Sequence, residues 1–144
     1  MMDSYYSSGS NAAAPDSLFD AGYNSCMHEL IATGLINKYN ACYINSALQV
    51  LLHTPKFSNL YVTNSLRNFI NVNNRNGSYG ALTGAISALF VAYHSGKFRY
   101  INTHRLLEIF TINIDKQFNG MEENDCHFFL MCLINKLAED VNRA

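Results

Sequence analysis

Apolar residues recur at helical spacing after Cys42. The residues at positions i, i+3, i+4 and i+7 of this stretch are Ile44, Ala47, Leu48 and Leu51. Such spacing places side chains on one face of an α-helix. Asn40 is of a type favoured at the N-cap, and Pro55 follows the pattern. The pattern therefore predicts a helix with one buried face and with Cys42 in its first turn.

A second strong helical pattern lies near the end of the sequence. Its apolar stripe consists of Cys126, Phe129, Leu130, Leu133, Leu137 and Val141. Asn124 or Asp125 can cap this helix, since both side chains accept hydrogen bonds from free backbone N–H groups.

Three weaker apolar stripes lie between these two. One is formed by Leu66, Phe69 and Ile70; another runs from Leu82 to Tyr93 and is closed by Gly96; the third follows Thr103 as a cap. Residues 57–62 are predicted as a turn, 71–80 as a loop and 98–101 as a short extended link. About five helices with little strand pattern predict a mainly α fold.

Residues 1–25 are small, polar and without periodicity. We expect them to form a mostly disordered arm, with a strand or cap packed on the core as the alternative. The remaining residues, 26–144, are predicted to form one domain.

Composition narrows the classes of function. A net charge of −1 gives no electrostatic reason to expect nucleic acid or a membrane surface as partner. None of the four cysteines forms a Cys-x-x-Cys pair, so no metal or cofactor is predicted. The sequence also has neither a secretory signal pattern nor an apolar run of membrane-spanning length, and we expect an intracellular protein of the cytoplasm or nucleus.

Cys42 is the candidate nucleophile. Free backbone N–H groups and the positive end of the helix dipole both favour a thiolate over a thiol in a first helical turn. Asn37, five residues upstream, can offer its side-chain amide to an oxyanion. The alternative is that Cys42 is a small buried apolar residue at the start of a helix.

The stretch from residue 34 to 52 resembles the cysteine box of the ubiquitin-specific proteases, which are papain-like cysteine peptidases. The matching positions are Gly34, Leu35, Asn37, Asn40, Cys42, Tyr43, Asn45, Ser46, Leu48, Gln49 and Leu51. The resemblance implies that Cys42 is the nucleophile and that Asn37 stabilises the oxyanion. Tyr39 and Ala41 depart from the glycine and threonine that are usual in the family, and glycine permits backbone conformations that tyrosine resists.

Residues 118–137 resemble the second box of the same family. Phe118, Gly120, Asp125, Phe129 and Leu130 are in register, whereas Glu123 and Phe128 replace a glutamine and a glutamate. By resemblance Asp125 binds the extended C-terminal tail of ubiquitin. The alternative is that Asp125 only caps the helix.

Together the two boxes imply the helical, thumb-like half of a papain-like peptidase domain, with the strand half and its catalytic histidine and Asp or Asn absent. His53 cannot replace that histidine, because eleven residues of helix separate it from Cys42 by about 16 Å. The resemblance implies a deubiquitinating thiol hydrolase, truncated or inactive as written, with ubiquitin or ubiquitinated proteins as partners. The alternatives are a non-catalytic ubiquitin-binding or regulatory module and an unrelated helical domain. In a half-domain we also expect self-association through exposed apolar surface.

Overall fold

The computed structural model describes residues 20–23 and 33–143. The α-helices in these ranges are α1 (Cys42–Leu52), α2 (Pro55–Val62), α3 (Ala81–His94), α4 (His104–Asn113) and α5 (Cys126–Val141). The strands are β1 (Asp20–Tyr23), β2 (Gly34–Leu35) and β3 (Phe98–Asn102), and a 3-10 turn covers Arg67–Phe69. The described part of the chain is therefore mainly α, as the sequence predicts.

The core lies between the helices. α3 packs against α2, α4 and α5, while α1 packs against α2 and α5. Four phenylalanines have no exposed surface and fill the centre together with buried leucines: Phe90, Phe110, Phe118 and Phe129. Burying such rings supplies much of the driving force for folding, roughly 1.5–3 kcal/mol for each fully buried side chain.

The prediction of a turn at residues 57–62 is wrong, because these residues belong to α2. Pro55 lies in the first turn of α2, where its fixed φ suits a helix and its missing N–H costs nothing. Conversely, the stripe of Leu66, Phe69 and Ile70 is no α-helix. It is reduced to one 3-10 turn, since Asn64 has a φ of 55° and interrupts the helical backbone.

Three strands form a small sheet in the order β1-β3-β2. β1 runs antiparallel to β3, and β2 runs parallel to it. The extended link predicted at residues 98–101 is thus most of the central strand. Four residues of the predicted N-terminal arm form β1, whereas residues 1–19 and 24–32 lie outside the described residues.

Within the described ranges, no helix combines the length and the apolar character that crossing a membrane requires.

Candidate functional site

Cys42 is the first residue of α1, and its side chain is exposed. The next two residues, Tyr43 and Ile44, point into the core and fix the start of the helix. The alternative of a buried apolar cysteine is therefore wrong. An exposed thiol at a helix N-terminus lies beside free N–H groups and the positive end of the helix dipole.

Asn37 lies on a short segment between β2 and α1 whose backbone is held just before it. The Ile36 N–H donates to the Ile101 carbonyl at 3.0 Å. The Asn45 side-chain amide, from α1, donates to the Ile36 carbonyl at 3.0 Å. Asn37 is exposed, and an oxyanion donor must be accessible to the substrate.

Asn40 joins the two boxes, and its prediction as N-cap of α1 is wrong. Ala41 takes the N-cap position without a side-chain hydrogen bond. The Asn40 N–H donates to the Gly120 carbonyl at 2.8 Å, and its side-chain amide donates to the Met121 carbonyl at 2.9 Å. Two hydrogen bonds therefore fix the turn before Cys42 against the loop before α5.

Close packing at Gly120 explains why this junction carries a glycine. Gly120 has a φ of 76°, a conformation that favours glycine. A Cβ there would lie 2.9 Å from Leu107 Cδ1 and 3.4 Å from Ala41 Cβ. A residue with a Cβ would be strained at this φ and would also crowd Leu107 and Ala41.

Asp125 is the N-cap of α5, and its carboxylate accepts a hydrogen bond from the His127 N–H at 3.0 Å. The capping role is thus present. Asp125 is also exposed, as are Glu122 and Glu123 just before it, so this loop presents negative charge to solvent. Such a surface suits a basic or N–H-rich peptide segment.

Tyr43, the residue after Cys42, packs into the core and so fixes the start of α1. Its ring packs edge-on against Phe129 at 5.7 Å and lies 6.3 Å from Phe118. Burial raises the pKa of its hydroxyl, although Asn124 and the Gly120 backbone lie close enough to oppose the shift. Neither is in hydrogen-bonding geometry, and the hydroxyl has no hydrogen-bond partner among the described residues.

Two of the described histidines lie at the far end of α1 from Cys42. His53 follows the last turn of α1, and its Nδ1 lies 2.8 Å from the Gln49 carbonyl oxygen. His94 Nε2 lies 3.1 Å from the Leu52 carbonyl oxygen and 2.8 Å from Ser58 Oγ. Both contacts hold the His94 ring beside the last turn of α1, away from Cys42.

His104 and His127 are exposed at the starts of α4 and α5, and His28 lies outside the described residues. No group of three or more potential metal ligands occurs within the described ranges.

Comparison with known proteins identifies the family. A sequence profile described as "Ubiquitin carboxyl-terminal hydrolase" matches residues 33–144, which include Asn37, Cys42 and Asp125. The chain belongs to the ubiquitin carboxyl-terminal hydrolase family. The resemblance predicted from the two boxes is thereby confirmed.

Individual relatives in this family are much longer than the chain. "Ubiquitin carboxyl-terminal hydrolase 15" of Homo sapiens is 33% identical over 110 residues, covering 76% of the chain and 11% of the human protein. "Ubiquitin carboxyl-terminal hydrolase 12" of Saccharomyces cerevisiae is 30% identical over 126 residues, covering 84% of the chain and 10% of the yeast protein. The chain thus spans about a tenth of the length of these ubiquitin carboxyl-terminal hydrolases.

The sequence predicts Cys42, Asn37 and Asp125 as site residues. It did not reveal that Asn45, Asn40 and Gly120 position the segments on which these residues lie. Each lies at a position where the chain matches a box of the family, which is the signal that could have pointed to them. Their partners are remote in sequence, up to 81 residues away for Asn40. The catalytic and binding roles of Cys42, Asn37 and Asp125 stay predictions.

Proposed function

We propose that the chain is part of a deubiquitinating thiol hydrolase that cleaves the isopeptide bond between ubiquitin and a target protein. The observation that carries this proposal is the exposed Cys42 at the first turn of α1, in a chain that belongs to the family. Asn37 and Asp125 lie on segments that hydrogen bonds fix relative to that turn.

In the proposed reaction the Cys42 thiolate attacks the carbonyl of the terminal glycine of ubiquitin. A carbon–sulfur bond forms, and the negative charge moves to the carbonyl oxygen, where the Asn37 amide donates a hydrogen bond. Collapse of this intermediate breaks the carbon–nitrogen bond, and the lysine amine leaves with an added proton. Asp125 accepts hydrogen bonds from the bound tail.

The leaving amine needs a general acid. His53 and His94 are engaged with backbone carbonyls at the opposite end of α1, and proton transfer requires a gap of about 3 Å. The family resemblance assigns this task to a histidine in the strand half of the catalytic domain. The greater length of the relatives is consistent with that arrangement.

The proposal is tested with ubiquitin that carries a C-terminal alkyne, an electrophile that needs no leaving group. We expect one covalent adduct on the wild-type chain and none on Cys42→Ser. Cys126→Ser and Cys132→Ser are matched controls, because both thiols are partly buried, and both should still react. Absence of an adduct on the wild-type chain at high micromolar ubiquitin would remove the proposed function.

A second candidate is a ubiquitin-binding or regulatory module without catalysis. The placement of His53 and His94 favours it, because neither reaches Cys42. Titration of the Cys42→Ser chain with ubiquitin by calorimetry tests this reading. Binding by Cys42→Ser, combined with no adduct on the wild-type chain, supports the module; no heat at high micromolar concentration excludes it.

A further inference from the structure

We propose that Asn45 is a positioning residue for Asn37, and this inference depends on the proposed function. Asn45 lies on the first turn of α1, only 9% of its surface is exposed, and α1 orients its side chain toward the segment that precedes the helix. Its amide nitrogen donates to the Ile36 carbonyl at 3.0 Å. That carbonyl and the Asn37 N–H belong to one planar peptide unit, so Asn45 fixes the plane from which Asn37 starts.

The peptide unit before Ile36 is also held. The Ile36 N–H donates to the carbonyl of Ile101 in β3 at 3.0 Å. Both peptide units around Ile36 are therefore fixed, one by the sheet and the other by α1. Beyond them the side chains from Asn37 to Asn40 are exposed, and Asn40 is attached to the second box.

This arrangement separates the tasks of two asparagines. Asn40 lies in the turn that leads into Cys42, and its hydrogen bonds hold this turn to the loop before α5. Asn45 instead restrains the segment that carries the oxyanion donor. Loss of its amide should loosen Asn37 while Cys42, fixed by the buried Tyr43 and Ile44, keeps its place.

The other end of the Asn45 side chain offers a matched control. The hydroxyl of Thr103, a buried residue, lies 3.4 Å from Asn45 Oδ1. Thr103→Val removes this long contact but keeps the donation from Asn45 to Ile36. If Asn45 acts through Ile36, Thr103→Val should behave like the wild-type chain.

Two ubiquitin derivatives distinguish a loosened oxyanion donor from a displaced nucleophile. With a C-terminal aldehyde, the thiol adds across the C=O bond: a carbon–sulfur bond forms and the thiol proton goes to the oxygen, which occupies the oxyanion position. With a C-terminal alkyne, the thiol adds across the triple bond to give a vinyl thioether, and no oxyanion forms. Removing an oxyanion donor typically costs 10²–10³-fold in rate, so a loosened donor should cost at least about tenfold in aldehyde affinity.

The experiment measures aldehyde affinity and alkyne reaction rate for the wild type, Asn45→Ala and Thr103→Val, with melting temperatures as a check of folding. We expect Asn45→Ala to bind the aldehyde at least about tenfold more weakly and to react with the alkyne within about twofold of wild type. Asn45→Asp keeps the side-chain size but has no N–H donor. It replaces Asn45→Ala in these measurements if the alanine variant does not fold.

The outcomes separate the two proposals. Equal losses with both derivatives, or no loss with either, would overturn the positioning role of Asn45 and leave Cys42 as nucleophile. The same holds if Thr103→Val weakens aldehyde binding as much as Asn45→Ala. A wild-type chain that reacts with neither derivative would overturn the role of Cys42 and, with it, that of Asn45.

Discussion

Tyr39 has a φ of 59°, in the left-handed region that a residue with a Cβ adopts at a cost of about 1–2 kcal/mol. The sequence pointed to this position, because the family usually has glycine there. The side chain is 55% exposed, and its ring lies 5.6 Å from the Lys38 ammonium. The exposed ring and its one contact offset little of the strain at Tyr39. Hydrogen bonds at Ile36 and Asn40, on either side of it, hold the backbone in this conformation.

Tyr39→Gly and Tyr39→Ala remove the same ring, but only glycine also removes the Cβ. After allowing for the greater freedom of glycine in the unfolded chain, we expect the glycine variant to be more stable by about 0.5–1 kcal/mol. Urea denaturation measures the difference. An alanine variant of equal or greater stability would show that the backbone at residue 39 is not strained.

We expect ionisation of Tyr61 to lower the free energy of unfolding at alkaline pH. Only 3% of its surface is exposed, and burial, followed by the negative charge of Asp140, raises the pKa of its hydroxyl to about 12. Because this pKa is higher in the folded than in the unfolded chain, the folded chain holds the proton more tightly. The resulting stability is complete below pH 10 and is lost as the pH rises toward 12.

The expected slope from Tyr61 is about 1.4 kcal/mol per pH unit between pH 10 and 12. Urea denaturation of the wild type and of Tyr61→Phe at pH 9, 10, 11 and 12 isolates it, because the other tyrosines are common to both. The stability of the wild type relative to Tyr61→Phe should fall over this range. A constant difference would contradict the assigned pKa.

At the scale of elements, Asp140 joins α5 to the start of α3. Its carboxylate has no exposed surface and accepts hydrogen bonds from the Ser78 and Thr83 hydroxyls, each at 2.7 Å. The backbone N–H groups of both residues also donate to it. Gly77 leaves room for this network, since a Cβ there would lie 3.0 Å from Asp140 Oδ1.

Asp140→Asn keeps the shape of the side chain but replaces one accepting oxygen with an NH2 group, which cannot accept from the Ser78 and Thr83 donors. Because a hydrogen bond to a charged group contributes about 1.5–3 kcal/mol, we expect a loss of roughly 2–4 kcal/mol in the free energy of unfolding. Glu139→Gln, at the neighbouring and more exposed carboxylate, is the matched control and should cost much less. Equal effects of the two variants would show that the buried network does not join the elements.

Helix positions followed from sequence wherever an apolar stripe was long enough, as in α1, α3 and α5. α2 was missed because Pro55 was interpreted as the end of one helix, whereas it begins the next. Neither the sheet nor the hydrogen bonds of Asn40 and Asn45 could be predicted, because their partners are brought close only by the tertiary fold. The sequence could therefore indicate Cys42, Asn37 and Asp125 as candidates, but not the contacts that hold the segments on which they lie.

At the scale of the whole molecule, α5 is apolar on two faces. Phe129, Leu133 and Leu137 are buried, whereas Phe128, Met131 and Ile134 are between 36% and 47% exposed on another side of the helix. Exposed apolar residues that share a helix face mark interaction surfaces or sites of aggregation. Self-association of this chain stays a prediction on these grounds.

We expect the apparent mass in sedimentation to rise with protein concentration. The double variant Met131→Lys and Ile134→Lys should reduce this rise, because it places two charges on the exposed face of α5. Val50→Lys is the control, since Val50 is 55% exposed on α1. A monomeric wild-type chain at all concentrations, or equal effects of both variants, would argue against association through α5.

Acyl transfer from a ubiquitin C-terminal thioester is the sharpest test of Cys42 as the nucleophile. Attack on its carbonyl is the proposed step, and the departing thiolate needs no general acid. We expect the chain to acquire one ubiquitin, hydroxylamine to remove it, and peptide mapping to place it on Cys42. Transfer to Cys126 or Cys132 as fast as to Cys42, or no transfer to Cys42, would overturn the role of Cys42 as nucleophile.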